Sequence, residues 1–129
     1  MPLPFPQPTT TDPQTLSQTL PTNSKPQYLI FFASLVPPNN QSWCGDCRNA
    51  EQPLLKYLGG QVLEEERVRL VYVGDRERWR STSPRNEWKD EPWGIEKLPT
   101  VVKVTKEGWE KLVEEDCYDE GKLRAFVEE

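Results

Sequence analysis

The chain has 129 residues, 16 basic and 21 acidic, with no histidine and a formal net charge of −5. That length supports one ordinary hydrophobic core, and a single domain over residues 1–129 is expected. The acidic balance, with its Lys and Arg dispersed, excludes an electrostatic grip on nucleic acid or an anionic membrane surface.

Seven of the 13 prolines fall in the first 26 residues, and Pro2, Pro4, Pro6 and Pro8 alternate. Each proline removes a ladder donor, so Leu3 to Pro8 is expected as an edge strand or an extended arm. "TDPQTLSQTL" predicts a short helix capped by Thr11 or Asp12, with Pro13 in its first turn and Leu16 and Leu20 on one face. "QYLIFFASLV" is almost wholly apolar and predicts a strand buried on both faces; "RVRLVYVG", residues 67–74, predicts a second. Between them "CRNAEQPLLKYLGG" carries Ala50, Leu54, Leu55 and Leu58 at helical spacing and stops at Gly59 and Gly60. Strand, helix and strand at this distance predict a right-handed crossover with parallel strands. Pro53 is expected either to interrupt or kink that helix or to be merely tolerated in it.

Further on, Ser83 and Pro84 predict the cap and first turn of another short helix, in a polar stretch that holds Trp79, Trp88 and Trp93. "TVVKVTKEGWEKLVEE" predicts a hairpin turning at Lys106, Glu107 and Gly108. "DEGKLRAFVEE" predicts a closing helix that buries Leu123, Phe126 and Val127. The resulting order, βαβαβαββα, predicts an α/β domain with helices covering a mixed sheet.

No apolar run approaches the roughly 20 residues that cross a bilayer. "MPLPFPQPTTTDP" lacks the basic and continuous apolar regions of a secretory signal. Three cysteines are an odd count, which speaks against an extracellular disulfide framework. A reducing cytosol is therefore expected, and the chain is read as a monomer. A close cysteine pair there is more often catalytic or metal-binding than structural.

That pair lies in "NQSWCGDCRN". Cys44 follows a buried strand and opens a helix, where unpaired amides and the helix dipole favour the attacking thiolate. Cys47, one turn further in, lies within disulfide reach and is expected to be more buried. Cys44 then attacks, a mixed disulfide forms, and Cys47 resolves it. A zinc site would draw on Cys44, Cys47, Cys117 and a carboxylate, without a second Cys-x-x-Cys. A buried inert pair is the other alternative, opposed by the exposure of a helix N-terminus. Cys117 stands alone and reads as structural.

"WCGDC" after a buried strand, Pro53 six residues past Cys47 and "KLPTVVKV" downstream together resemble the thioredoxin fold, a mixed central sheet flanked by helices on both faces. The aspartate before the second cysteine, the seven-residue insert "LVPPNNQ", "YVGDRERW", "RNEW" and "KLVEEDC" narrow the likeness. From about Gln27 onward the chain resembles the small disulfide reductases of the thioredoxin domain-containing protein 17 type. This resemblance implies Cys44 as nucleophile, Cys47 as resolving thiol and Pro99 as a cis-proline facing them. Leu98 would then present a short backbone edge to an extended substrate. Trp43 and Gly45 complete the implied substrate face. The resemblance further implies a redox-active Cys44–Cys47 disulfide, no bound cofactor or metal, and substrates that are small or selected disulfides such as cystine and certain proteins. Recycling by thioredoxin reductase at the expense of NADPH is likewise implied. A thioredoxin-fold adaptor that holds a protein partner without turnover is the alternative.

Thioredoxins typically carry Gly-Pro between the cysteines and a buried acid in the preceding strand; this chain has Gly45-Asp46, and "YLIFFAS" has no acid. Asp46 is then either the proton acceptor for Cys47 or an acid complementing the helix dipole. The helix end favours the Cys44 thiolate by ~0.3–1 kcal/mol, and a nearby carboxylate opposes it by a similar amount. A Cys44 pKa near ~7, suited to a reductant, is expected. The insert Leu35 to Gln41, stiffened by Pro37-Pro38, and the loop around Trp79 and Trp88 are expected to wall the site and restrict its substrates.

Overall fold

The computed structural model describes residues 3–8, 12–19, 25–59 and 67–127. In chain order its elements are α1 (Pro13–Thr19), β1 (Gln27–Phe32), β2 (Leu35–Val36), β3 (Gln41–Ser42), α2 (Gly45–Leu58) and β4 (Val68–Tyr72). Then come α3 (Arg76–Arg80), β5 (Thr100–Thr105), β6 (Gly108–Val113) and α4 (Glu120–Val127), with 3-10 turns at Glu87–Lys89 and Glu114–Tyr118.

β1 is apolar because it is covered on both faces and paired on both edges. All six of its residues are buried. β4 runs parallel to it and β5 antiparallel, and β6 pairs antiparallel with β5, giving the order β4-β1-β5-β6. Successive side chains of a strand face opposite ways. Tyr28 meets α4, its hydroxyl donating to the Val127 carbonyl at 3.1 Å and its ring lying edge-on to Phe126. Phe31 faces the other layer and packs against Trp88 and Trp93, both at 5.5 Å between ring centres. Trp93 in turn donates its indole N–H to the Pro13 carbonyl of α1 at 2.9 Å. Each fully buried large apolar side chain of this kind contributes roughly 1.5–3 kcal/mol.

The alternating prolines leave Leu3 to Pro8 as an arm without a ladder of its own. The Leu70 N–H of β4 donates to the Pro6 carbonyl at 2.9 Å, and Leu3 is buried. Asp12 caps α1, its carboxylate accepting from the Thr15 N–H at 3.0 Å, and Leu16 enters the core. Thr11, Leu20 and Gly60 lie outside the described residues.

Several sequence expectations are corrected by tertiary contacts. The strand predicted over Gln27–Val36 divides: β1 ends at Phe32, and β2 turns to pair with β3. The Ser34 N–H goes to the Gly74 carbonyl at 3.1 Å and the Ser42 hydroxyl to the Ala33 carbonyl at 2.8 Å, so the backbone past Phe32 is satisfied outside the main sheet. α2 runs unbroken through Pro53. Buried Ala50, Leu54 and Leu58 clamp it on both sides of the proline, and that packing outweighs a local cost of ~3 kcal/mol. Leu55 turns off this stripe and is 39% exposed.

No helix begins at Ser83-Pro84, which lies in a turn closed by a Thr82–Arg85 bridge. The helix forms earlier as α3, because the Asp75 carboxylate accepts from the Arg78 N–H at 2.8 Å and caps it. Trp79 and Trp88 are both buried in the core, and Trp88 also lines a cavity with Val73, Gly74 and Arg78. The β5–β6 hairpin turns through Lys106 and Glu107, and Gly108 takes φ +142, a conformation that favours glycine. In α4, Leu123 and Val127 are buried while Phe126 remains half-buried.

Candidate active site

Cys44 is the N-cap of α2, extended at φ −98 and ψ 125, and its carbonyl accepts the first intrahelical bond from the Arg48 N–H at 3.1 Å. It is half-buried, whereas Cys47 is fully buried one turn later. Both are free thiols. The Cys47 thiol donates to the Cys44 sulfur, and this bond, with lesser help from the Cys47 and Asp46 backbone amides, lowers the Cys44 pKa to about 6. Partial burial and the Asp46 charge oppose that shift. The same hydrogen bond, followed by burial, pushes the Cys47 thiol far up, so it keeps its proton while Cys44 is ionised. The Cys47 sulfur also receives the Ala33 N–H at 3.5 Å. The Cys44 value lies close to the sequence expectation, but its largest cause is the partner thiol, which the helix-end argument had omitted.

The reactive form is the thiolate, present above the lowered pKa. Alkylation of Cys44 by iodoacetamide is therefore expected to inflect near pH 6. An ordinary cysteine inflects at about 8.5. Mass-resolved rates over about pH 5–9 measure this, and an inflection at the ordinary value would contradict the stabilised thiolate.

The Leu98–Pro99 peptide is cis, and the Leu98 carbonyl lies 3.7 Å from the Cys44 sulfur. Behind it, the Pro99 carbonyl accepts from the Glu114 N–H at 2.7 Å and faces the Cys117 sulfur at 3.6 Å. Cys117 is fully buried, and burial pushes its thiol up to about 12. Among the described residues, no three His, Cys, Asp or Glu side chains gather as a metal site. No helix of the described residues is long and apolar enough to cross a membrane.

Trp43 is half-buried, its indole N–H held by the Gly74 carbonyl at 2.9 Å. Gly45 is exposed, and a Cβ there would meet nothing closer than the Arg48 Nη2 at 3.6 Å. Its glycine is therefore not forced by crowding; it leaves the neighbour of the attacking sulfur bare. Asp46 accepts from the Tyr118 hydroxyl at 2.8 Å, and that bond raises the Tyr118 pKa. The described hydrogen bonds thus join Asp46 to Tyr118 rather than to Cys47. Sequence reasoning missed Tyr118, Arg48 and Arg76. Arg48 directly follows Cys47 in the motif and was passed over there, whereas the turn Glu114–Tyr118 and α3 reach α2 and the loop before it only through the fold.

Residues 9–129 match the family described as thioredoxin domain-containing protein 17-like, thioredoxin domain. The match begins well before Gln27, where the motif likeness starts. Thioredoxin-like protein Clot of Arabidopsis thaliana is 36% identical over 81 residues, and that of Oryza sativa subsp. japonica 29% over 83. These alignments cover 62% and 61% of this chain but only 58% of each relative's length. A crystal structure of chloroplastic thioredoxin z is 17% identical, with a TM-score of 0.48 over 98% of this chain and 94% of that one. With a family match that takes in both cysteines, the cis-proline and every element around them, this chain belongs to the thioredoxin domain-containing protein 17-like family and is a thioredoxin-fold domain.

Proposed function

We propose that this chain is a thiol–disulfide oxidoreductase that reduces small or selected protein disulfides. The observation that carries the reading is the half-buried Cys44 at the mouth of α2, ionised at about 6, with a protonated Cys47 behind it. The Cys44 thiolate attacks one sulfur of the substrate disulfide, forms a mixed disulfide and expels the other half as a thiolate. Once Cys44 has lost its charge, the bond that held the Cys47 proton is gone. The expelled thiolate takes that proton, directly or through Asp46. The Cys47 thiolate then attacks the Cys44 sulfur, closing the Cys44–Cys47 disulfide and releasing the second substrate thiolate. Two electrons pass from the dithiol to the substrate, and one proton moves from Cys47 to the first leaving group.

Trp43, Gly45, Leu98 and cis-Pro99 form the substrate face in this reading. An extended chain would lie along the Leu98 backbone as a short added strand. No resident cofactor or metal takes part; Cys44–Cys47 is itself the redox group. Recycling by thioredoxin reductase with NADPH is supported by family likeness. A cytosolic location, a single domain over residues 1–129 and a monomeric state belong to the same proposal and are supported by the sequence.

Cys47→Ser tests the order of events. After exposure to a disulfide peptide it is expected to hold one substrate half on Cys44, seen as a stable mass increment released by dithiothreitol. The unaltered protein should release both halves and lose about two daltons on closing its disulfide. Retention of a protein partner by Cys44→Ser, with no turnover by the unaltered chain, would instead establish the adaptor.

A further inference from the structure

Two arginines close on the attacking cysteine from different elements. Arg48 lies in the first turn of α2, where the positive end of the helix dipole disfavours a cation by ~0.3–1 kcal/mol. It nevertheless folds back toward that end. Its Nη1 donates to the Ser42 carbonyl at 2.7 Å, and its Nη2 lies 3.6 Å from where a Gly45 Cβ would stand. Arg76 opens α3 and reaches across from the far side of the loop. Its Nη2 donates to the Trp43 carbonyl at 3.3 Å, and its guanidinium carbon sits 5.4 Å from the centre of the Trp43 ring. Consecutive carbonyls, Ser42 and Trp43, therefore each accept from one guanidinium immediately before Cys44.

Both arginines are exposed, and each has more N–H donors than its backbone bond uses. Of the neighbouring acids, Asp46 accepts from the Tyr118 hydroxyl and Asp75 caps α3, while Glu51 feels the Arg48 charge, which lowers its pKa against the larger upward effect of burial. Two exposed guanidiniums, tied to the carbonyls of Ser42 and Trp43, thus stand beside the stretch that leads into Cys44, in a chain whose net charge is −5.

We infer that Arg48 and Arg76 form a carboxylate-binding bracket that selects small disulfides carrying an anionic group close to the sulfur–sulfur bond. A guanidinium fork matches a carboxylate in shape and charge. Held on the two carbonyls that precede Cys44, such a bracket orients the substrate sulfur toward the attacking thiolate. The inference rests on the dithiol reading above, and the bond changes are those of that exchange.

The test uses three aliphatic disulfides of similar build: dithiodipropionate with two carboxylates, neutral bis(hydroxyethyl) disulfide, and cystamine with two ammonium groups. Second-order rate constants are measured with the fully reduced protein and with the Arg48→Gln/Arg76→Gln double variant. The anionic-to-neutral rate ratio is expected to fall by about tenfold in the variant, and the cationic-to-neutral ratio to rise. Raising salt should erode the unaltered protein's preference in the same direction. Arg48→Lys/Arg76→Lys should recover part of the anionic ratio, because charge returns without the fork. Iodoacetamide profiles of each variant separate a change in Cys44 itself from a change in substrate binding. An equal fall with all three disulfides would overturn the bracket and leave the arginines as structural ties, and unchanged ratios would overturn it outright. Failure of the unaltered protein to exchange with any of the three would bring down the dithiol reading, and this inference with it.

Discussion

Cys44→Ser is expected to lower the single-turnover rate of disulfide reduction by at least about 10³-fold, or about 4 kcal/mol in the barrier. A serine hydroxyl does not ionise near neutral pH, so the attacking anion is lost rather than weakened. The two remaining thiols offer no substitute. Cys47 is fully buried with its thiol pushed up, and Cys117 is buried with a pKa of about 12. Stopped-flow mixing of reduced variant with a small disulfide measures the effect, with circular dichroism confirming that the fold persists. Removing Cys44 also removes the partner that most strongly raises Cys47. A residual rate within tenfold of the unaltered protein would mean that Cys47 attacks substrate directly, and the proposed order of the two sulfurs would be wrong.

Trp93→Ala is expected to cost about 3–5 kcal/mol of folding stability. Trp93 is fully buried, packs against Phe31 at 5.5 Å and stacks on Trp109 at 4.4 Å between ring centres. Its indole N–H also satisfies the Pro13 carbonyl, which ties α1 to the sheet. Truncation leaves a cavity and removes the side-chain tie to α1 together. Against a typical total of about 5–15 kcal/mol, that is a large fraction. The urea midpoint should fall accordingly with little change in slope. Trp109→Ala is the internal comparison, since that ring is 37% exposed and covers Trp93 only from outside. Equal losses from the two would show that the Trp93 layer is not part of the core.

Much of the fold was legible because it depends on local pattern. The apolar run at Gln27–Phe32 marks β1, the Ala50–Leu54–Leu58 stripe marks α2, and Lys106 to Gly108 mark the β5–β6 hairpin. Periodicity and turn chemistry act within a few residues, so a sequence displays them directly. The position of Cys44 at a helix mouth belongs to this class, as does the family resemblance carried by its motif. Ser83-Pro84 misled because a local cap signal was read without the Asp75 cap that starts α3 earlier, and at Pro53 packing outweighs the local cost, so the helix is not interrupted there.

By itself, then, the sequence determined that an α/β domain would carry two thiols one helical turn apart at the start of a helix. Only the tertiary structure decided their surroundings. It set Tyr118 on Asp46 and Arg76 on the Trp43 carbonyl. It also buried Trp79 and Trp88 in the core. These contacts join segments tens of residues apart, and burial, charge and hydrogen-bond partners at such distances are set by how the elements pack rather than by any short stretch of chain.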